Sequence, residues 1–133
     1  MRLGQLAPLP MVLLDLPLSR QYFESLFIRE RLEPNIAWTS SQQEAVRTMV
    51  ANGFGYTLAN VRPRAMVALD GRRVCRVPLL GDPAPLRIGI ATLRELKKTR
   101  LMQAFERHCQ QQFAAENIPG MAPASPAPRR RRR

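Results

Sequence analysis

The stretch "TSSQQEAVRTMVANGFGYTLAN" (residues 39–60) carries the clearest secondary-structure pattern of the chain. Ser41 followed three residues later by Glu44 has the form of a capping box and predicts a helix start. Four apolar side chains then recur at helical spacing and predict a buried stripe, formed by Ala45, Val46, Met49 and Val50. Asn52-Gly53 predicts the end of this helix, and "GYTLAN" (residues 55–60) predicts a strand.

Two strands and a helix are predicted upstream of this stretch. "PMVLLD" (residues 10–15) is a continuous apolar run, which favours a strand covered on both faces, as in a parallel sheet. Ser19 is placed as the N-cap of a helix over "RQYFESLFIRERL" (residues 20–32). One stripe of that helix is apolar and consists of Tyr22, Phe23, Leu26 and Phe27. "NIAW" (residues 35–38) predicts the second strand.

The remainder of the chain predicts two more strands and a final helix. A turn at Asp70-Gly71 leads to "VCRVPL" (residues 74–79), and "LRIGIAT" (residues 86–92) follows. The last helix is expected from about Thr99 to Ala115. Its apolar face would consist of Leu101, Met102, Phe105, Cys109 and Phe113. Alternation of strands and helices in this order predicts an α/β fold with a mostly parallel sheet.

Composition points to one domain with a basic tail. The chain has 133 residues, 45% of them apolar, and a net charge of +11. Arg129–Arg133 account for five of these charges and follow a Pro/Ala-rich spacer, which predicts a solvated tail that could at most hold phosphates non-specifically. No membrane span or secretory signal is predicted, and Cys75 and Cys109 are too far apart for a metal-like spacing. We expect a cytoplasmic protein with reduced thiols.

Signatures of catalysis are poor. "GFG" (residues 53–55) precedes a predicted strand, whereas a dinucleotide-binding loop follows one. The chain has no nucleophile elbow and no P-loop, and its one histidine, His108, lies beside a helix stripe, where a packed or partly exposed side chain is expected. We therefore predict no enzymatic activity, no cofactor and no metal site.

Two helix starts indicate a binding site for a small molecule. Ligands of parallel α/β sheets bind beyond the carboxyl ends of the strands, where helices begin and present unpaired N–H groups. "LPLSRQ" (residues 16–21) and "WTSSQQ" (residues 38–43) occupy such places and supply hydroxyl and backbone donors, including those of Ser40 and Ser41. For any single serine, a role restricted to helix capping is an equal alternative.

Three blocks of sequence resemble a known family. They are "DLPLSRQYFESLF" (residues 15–27), "EAVRTMVANGFGYTLANVRP" (residues 44–63) and "GRRVCRVPLLGD" (residues 71–82). Their order and spacing are similar to those of the C-terminal effector-binding domain of LysR-type transcriptional regulators, across residues 9 to about 115. This resemblance implies a type 2 periplasmic-binding-protein-like fold, in which two α/β lobes enclose a small effector.

The resemblance also implies a division of the chain. Residues 1–8 would be an N-terminal remnant, and residues 9–80 the second lobe. Residues 81–117 would hold a crossing segment with the returning strand and helix of the first lobe, and residues 118–133 a disordered tail. Nothing matches the helix-turn-helix or the opening strands of the first lobe, so a truncated form is expected that binds no specific DNA by itself.

For the site, the resemblance implies Pro17, Ser19 and Arg20 as cleft-lining residues, with Phe23 on the following turn. A carboxylate effector is expected because the other donors are neutral and Arg20 is near. The predicted class is the effector-sensing portion of a bacterial transcription regulator. It would not contact a membrane, and it could form a homo-oligomer or associate with an intact regulator. Alternatives are a fragment of an extracytoplasmic solute-binding protein, and a nucleic-acid-binding protein that acts through its arginine tail.

Overall fold

The computed structural model describes residues 1–81, 83, 85, 86, 89–95, 97–114 and 120–122. The chain divides into two compact units. The first unit comprises Met1–Asn60 and Ala65–Leu86, and the second comprises Val61–Arg64 and Arg87–Arg133. Along the described chain the elements are α1 (Leu3–Leu6), β1 (Met11–Leu14), α2 (Pro17–Arg29), β2 (Ile36–Ser40), α3 (Gln43–Ala51) and α4 (Arg100–Ala114).

The two strands of the first unit run parallel, as the apolar run at residues 10–15 predicted. The register pairs Met11 with Ile36 and Leu14 with Ser40, with an irregularity between Met11 and Val12. Parallel neighbours need a crossover, and α2 supplies it. This unit thus confirms the α/β class, with a parallel sheet and flanking helices.

The predicted third strand, residues 55–60, is reduced to a single bridge. Tyr56 pairs in parallel with Met11: its N–H donates to the Pro10 carbonyl over 3.0 Å, and its carbonyl accepts from the Val12 N–H over 2.7 Å. The segment therefore covers the second edge of β1, while no described residue from 57 to 60 lies in a strand.

The fourth and fifth predicted strands are also not found among the described residues. Around the Asp70-Gly71 turn, which is present, Val67 and Arg73 form one antiparallel bridge. In the predicted fourth strand, residues 74–79, Pro78 has no N–H to contribute to a ladder. Its carbonyl instead accepts from the amino group of Met1 over 2.9 Å. In the predicted fifth strand, residues 86 and 89–92 have no strand geometry, and residues 87 and 88 lie outside the described residues.

Both predicted serine caps are wrong. Helix α2 begins at Pro17 with Leu16 as its N-cap, because proline suits the first helical position, where its missing N–H costs nothing. Ser19 is consequently the third helical residue. Helix α3 begins at Gln43 with Gln42 as its N-cap, because pairing of Leu14 with Ser40 extends β2 and leaves Ser41 in a two-residue connection.

The end of α2 differs from the prediction: the helix ends at Arg29 and not at Leu32, with Glu30 as its C-cap and Arg31 at a φ of 57°. The end of α3 and the start of α4 agree with the sequence. Asn52 caps the end of α3, and Gly53 follows with a φ of 81°. The Thr99 hydroxyl accepts from the Met102 N–H over 3.3 Å at the start of α4. Ala115, the last residue of the predicted helix, lies outside the described residues.

The core of the first unit forms between β1 and α2. Met11 and Leu13 are almost completely buried and form one cluster with Phe23, Leu26 and Phe27 of the predicted stripe, and Val12 is completely buried as well. Tyr22 is half-buried and packs against this cluster. In α3, Val46 is buried and Met49 and Val50 are half-buried, whereas Ala45 is exposed, so that position of the predicted stripe is wrong.

The second unit contains α4 and a short antiparallel pairing of residues 62–64 with residues 120–122. Ala122 and Gly120 exchange backbone hydrogen bonds with Arg62 and Arg64, and Met121 forms an antiparallel bridge with Pro63. On α4 the apolar face is solvent-exposed, with Leu101 79%, Phe105 60% and Phe113 54% accessible. None of the helices in the described part of the chain is long and apolar enough to cross a bilayer.

Candidate functional site

The carboxyl ends of β1 and β2 meet at one edge of the sheet. Leu14 pairs with Ser40, the last residue of each strand, and the Asp15 N–H donates to the Ser40 carbonyl over 2.9 Å. The connection from β1 to α2 and the connection from β2 to α3 therefore leave the sheet side by side. We call this region the strand-end edge; it consists of residues 15–20 and 40–42.

Five of the six predicted site residues lie at the strand-end edge. Pro17 and Ser41 are exposed, and Ser19, Arg20 and Ser40 are half-buried. The sixth, Phe23, is only 3% exposed and belongs to the core cluster with Met11, Leu13 and Phe27. Its ring meets that of Tyr22 edge to face, with centroids 5.3 Å apart. Phe23 thus packs in the core and supports α2 from inside.

Backbone donors are present at the start of α2. The Arg20 N–H makes a helical hydrogen bond to the Leu16 carbonyl over 2.9 Å. Earlier N–H groups in a helix have no intrahelical acceptor, and Pro17 has no N–H at all. The donors available to a bound molecule are therefore those of Leu18 and Ser19. Near the start of α3, the Ser40 hydroxyl accepts from the Gln42 N–H over 3.1 Å.

Arg20 is held by two carboxylates, which the sequence did not predict. Its Nη1 lies 2.9 Å from Asp15 Oδ2, and its Nε lies 3.0 Å from Glu24 Oε1. The Arg20 side chain is 43% exposed, and those of Asp15 and Glu24 are 37% and 33% exposed. The one cation of the strand-end edge is therefore already paired, and the three side chains together carry one net negative charge.

A second polar cluster ties α3 to the Asp70-Gly71 turn. The Asn52 amide donates to Asp70 Oδ2 over 2.6 Å. This hydrogen bond, together with one from the Arg72 N–H, holds the pKa of the Asp70 carboxyl below its usual value. An open depression of about 680 Å³ runs along the same face of α3, lined by Gln42, Glu44, Ala45, Thr48, Met49, Leu69 and Asp70. The sequence predicted the turn but offered no signal for its contact with α3.

Metal ligation and thiol chemistry find no support in the described residues. Within them, no group of three histidine, cysteine, aspartate or glutamate side chains is arranged to hold a metal ion. Cys75 is exposed and Cys109 is half-buried, and both are free thiols. His108 is exposed on α4. What the strand-end edge offers is a set of hydrogen-bond donors and one paired arginine.

Comparison with known proteins gives the family. Residues 1–114 match the LysR substrate binding domain, so the chain belongs to this family. Domains of this family have a periplasmic-binding-protein-like fold and are parts of transcription regulators. No protein of curated function matches the sequence significantly.

Solved structures agree with this assignment. HinK, a LysR family transcriptional regulator from Pseudomonas aeruginosa, is 38% identical, with a TM-score of 0.79 over 84% of this chain. Another Pseudomonas aeruginosa protein assigned to the family, PA01, is 35% identical, with a TM-score of 0.73 over 85% of this chain. The C-terminal domain of a Rhodococcus sp. RHA1 protein assigned to the family is 32% identical, with a TM-score of 0.76 over 83% of this chain. The chain spans 39%, 40% and 54% of the length of these three structures.

Proposed function

We propose that the chain is the effector-sensing portion of a LysR-type transcription regulator and holds a small-molecule effector at the strand-end edge. The observation that carries this proposal is the pairing of Leu14 with Ser40, which sets the two strand-to-helix connections side by side. Parallel α/β sheets bind ligands at such edges. The family membership supports the same reading, since these domains belong to regulators.

We propose Pro17, Ser19 and Arg20 as effector-contacting residues of the first connection, with Ser40 and Ser41 contributing from the second. Phe23 supports the position of α2 through the core. The proposed effector is an aliphatic or aromatic carboxylate, because an anion suits the N–H donors and the positive end of a helix. The site has donors without a paired nucleophile and base, so we propose binding without chemical conversion.

The chain is proposed to act in the cytoplasm and to read effector rather than DNA sequence. Its matched region is that of the substrate-binding domain, and base readout in regulators needs a recognition helix in the major groove. An extracytoplasmic solute-binding protein would instead be recovered from the periplasm on cell fractionation. That result would contradict the regulator reading.

Trp38 offers a direct test of the site. It is the only tryptophan, it lies on β2 two residues before Ser40, and its ring meets Phe54 edge to face at 5.6 Å. Residues two apart on a strand share a face, so binding near Ser40 is expected to change Trp38 fluorescence. We expect saturable changes with some carboxylic acids of a panel, and weaker binding, by about tenfold, after Ser19→Ala or Ser40→Ala, the loss of about 1.4 kcal/mol.

Ser25→Ala is the matched control. Ser25 also lies on α2, but its hydroxyl donates to the Tyr22 carbonyl over 2.7 Å, away from the helix start. Equal loss of affinity in Ser19→Ala and Ser25→Ala would remove the strand-end edge as the site.

A further inference from the structure

We propose that Glu24 is a built-in competitor for the effector's carboxylate at Arg20 and thereby sets the preference of the site between anionic and neutral molecules. This inference rests on the proposed function, because it concerns the same strand-end edge. It goes further by assigning different roles to the two acids that hold Arg20. Asp15 keeps the arginine in position, and Glu24 releases it when an anionic effector binds.

Arg20, Asp15 and Glu24 form a cluster with a net negative charge. Arg20 contacts Asp15 through Nη1 and Glu24 through Nε, at 2.9 and 3.0 Å. One cation between two carboxylates leaves a net charge of −1, so a third carboxylate approaching the guanidinium meets repulsion as well as attraction. A carboxylate bound to the free N–H groups of Arg20 Nη2 still meets the repulsion of both acids, so Arg20 holds an anionic effector more strongly when one of them leaves.

Asp15 is fixed at the end of β1. Its backbone N–H is bonded to the Ser40 carbonyl, directly beyond the paired ends of β1 and β2. The ion pair from Asp15 to Arg20 spans the turn into α2 and ties the first helical turn to the sheet edge. Losing this pair would loosen the connection that carries Pro17 and Ser19. Asp15 is therefore the permanent partner, and it makes Arg20 a positioning residue.

Glu24, by contrast, is displaceable. It lies one helical turn after Arg20 on α2, and only its side chain reaches the guanidinium. Its side chain is 33% exposed, and an ion pair between residues four apart on one helix is weak where water reaches it, so breaking this pair costs little. Rotation of the Glu24 side chain into solvent frees Nε without moving the backbone of α2.

Arg20 therefore exchanges one of its partners when an anionic effector binds. The effector's carboxylate takes the place of Glu24 on Nε, while Asp15 stays on Nη1. A neutral effector leaves both ion pairs in place and uses the remaining donors. Glu24 is therefore a specificity-determining residue, since it weakens the binding of anions and has no effect on that of neutral isosteres.

Benzoate and its neutral isostere benzamide are suitable probes for the full chain. Each would be titrated at constant ionic strength while the Arg20 Nε–Hε and the Ser19 and Ser40 amide resonances are followed by NMR. In Glu24→Gln we expect benzoate to bind about threefold more tightly, because a partly exposed ion pair no longer competes for Arg20. Benzamide should bind with unchanged affinity. The Arg20 Nε–Hε proton of ligand-free Glu24→Gln should also exchange faster with water than in the parent chain.

Glu33→Gln is the matched control, because Glu33 is exposed beyond α2 and makes no ion pair with any described residue. An equal gain in benzoate affinity in Glu33→Gln and Glu24→Gln would contradict the proposal that Glu24 competes for Arg20, and so would no gain in Glu24→Gln. Neither result would affect the proposed function. Absence of any shift at Ser19 and Ser40 with either probe would overturn this inference, whereas the proposed function would fall only if no acid of the panel bound.

Discussion

Single residues set the geometry from which the site is built, and Gly55 is the clearest case. It has a φ of 145°, and a Cβ placed on it would lie 2.0 Å from the Pro10 carbonyl oxygen. That same oxygen accepts the Tyr56 N–H. The close approach lets the chain after α3 return along the free edge of β1. A side chain at residue 55 would push this edge apart.

We predict that Gly55→Ala lowers the free energy of unfolding by about 3 kcal/mol, since it combines backbone strain with a clash against a main-chain oxygen. Gly53→Ala is the control: Gly53 also has positive φ, but its added Cβ would meet nothing within 4 Å, so a loss of about 1 kcal/mol is expected. Urea denaturation of the two variants measures the difference. Equal losses would show that the contact with Pro10 does not constrain the fold.

At the scale of elements, Arg47 joins α3 to the segment that follows it. Its Nη2 donates to the carbonyls of Ala65 and Val67, over 2.8 and 3.0 Å. Its Nε lies 3.3 Å from Glu44 Oε2 without hydrogen-bond alignment, and its side chain is only 12% exposed. The guanidinium thus connects α3 to an irregular segment of the same unit that lacks a sheet of its own.

Arg47→Met should destabilise the first unit by about 2 kcal/mol, because two carbonyls lose their donor while most of the apolar stem is kept. Arg47→Lys should recover little of this loss, since one ammonium lacks the planar fork of a guanidinium. Arg29→Met, at the exposed end of α2, should cost less than about 1 kcal/mol. Chemical denaturation gives the stabilities. An Arg47→Lys variant as stable as the parent chain would show that the planar guanidinium is not needed to bind the two carbonyls.

At the scale of the whole molecule, order is expected to be uneven. Strand β1 is almost fully buried and is hydrogen-bonded on both edges, to β2 and to Tyr56. Helix α4, in the second unit, exposes Leu101, Phe105 and Phe113. Amides exchange slowly where opening requires loss of a buried core, and quickly where a helix has an uncovered face.

We therefore predict slow hydrogen exchange near residues 11–15 and at Tyr56, and faster exchange along residues 100–114. Exchange measured by NMR on dilute and concentrated samples would also report association, because an apolar face of this kind invites contact with further copies. Protection of α4 that rises with concentration agrees with the prediction. Uniform strong protection up to residue 114 in a monomer contradicts it.

The sequence by itself determined the elements whose signals are local. The apolar run of β1, the stripe of Phe23, Leu26 and Phe27 and the Asn52-Gly53 helix end all depend on neighbours within a few residues. The resemblance in three blocks predicted the family that the comparisons then established. The position of "LPLSRQ" (residues 16–21) directly after the apolar run predicted that Pro17, Ser19 and Arg20 lie beside the carboxyl end of β1, where the structure has them.

Only the tertiary structure decided at which residues the strands end and the helices begin. Pairing with Leu14 drew Ser40 into β2, and Pro17 displaced Ser19 from the cap, because a helix starts where backbone pairing and proline geometry allow it. A strand needs a neighbour to pair with, and among the described residues of the last three predicted strands only Tyr56 is paired, with Met11 of β1. The ion pair between Arg20 and Asp15 likewise depends on the folded structure. The hydrogen bond from the Asp15 N–H to the Ser40 carbonyl of β2 sets the position of Asp15 beside the helix. The pair Arg20–Glu24 has the four-residue spacing of a helix and could be read from the sequence, whereas the bond from Asp15 to Ser40 joins distant segments and leaves no periodic trace in it.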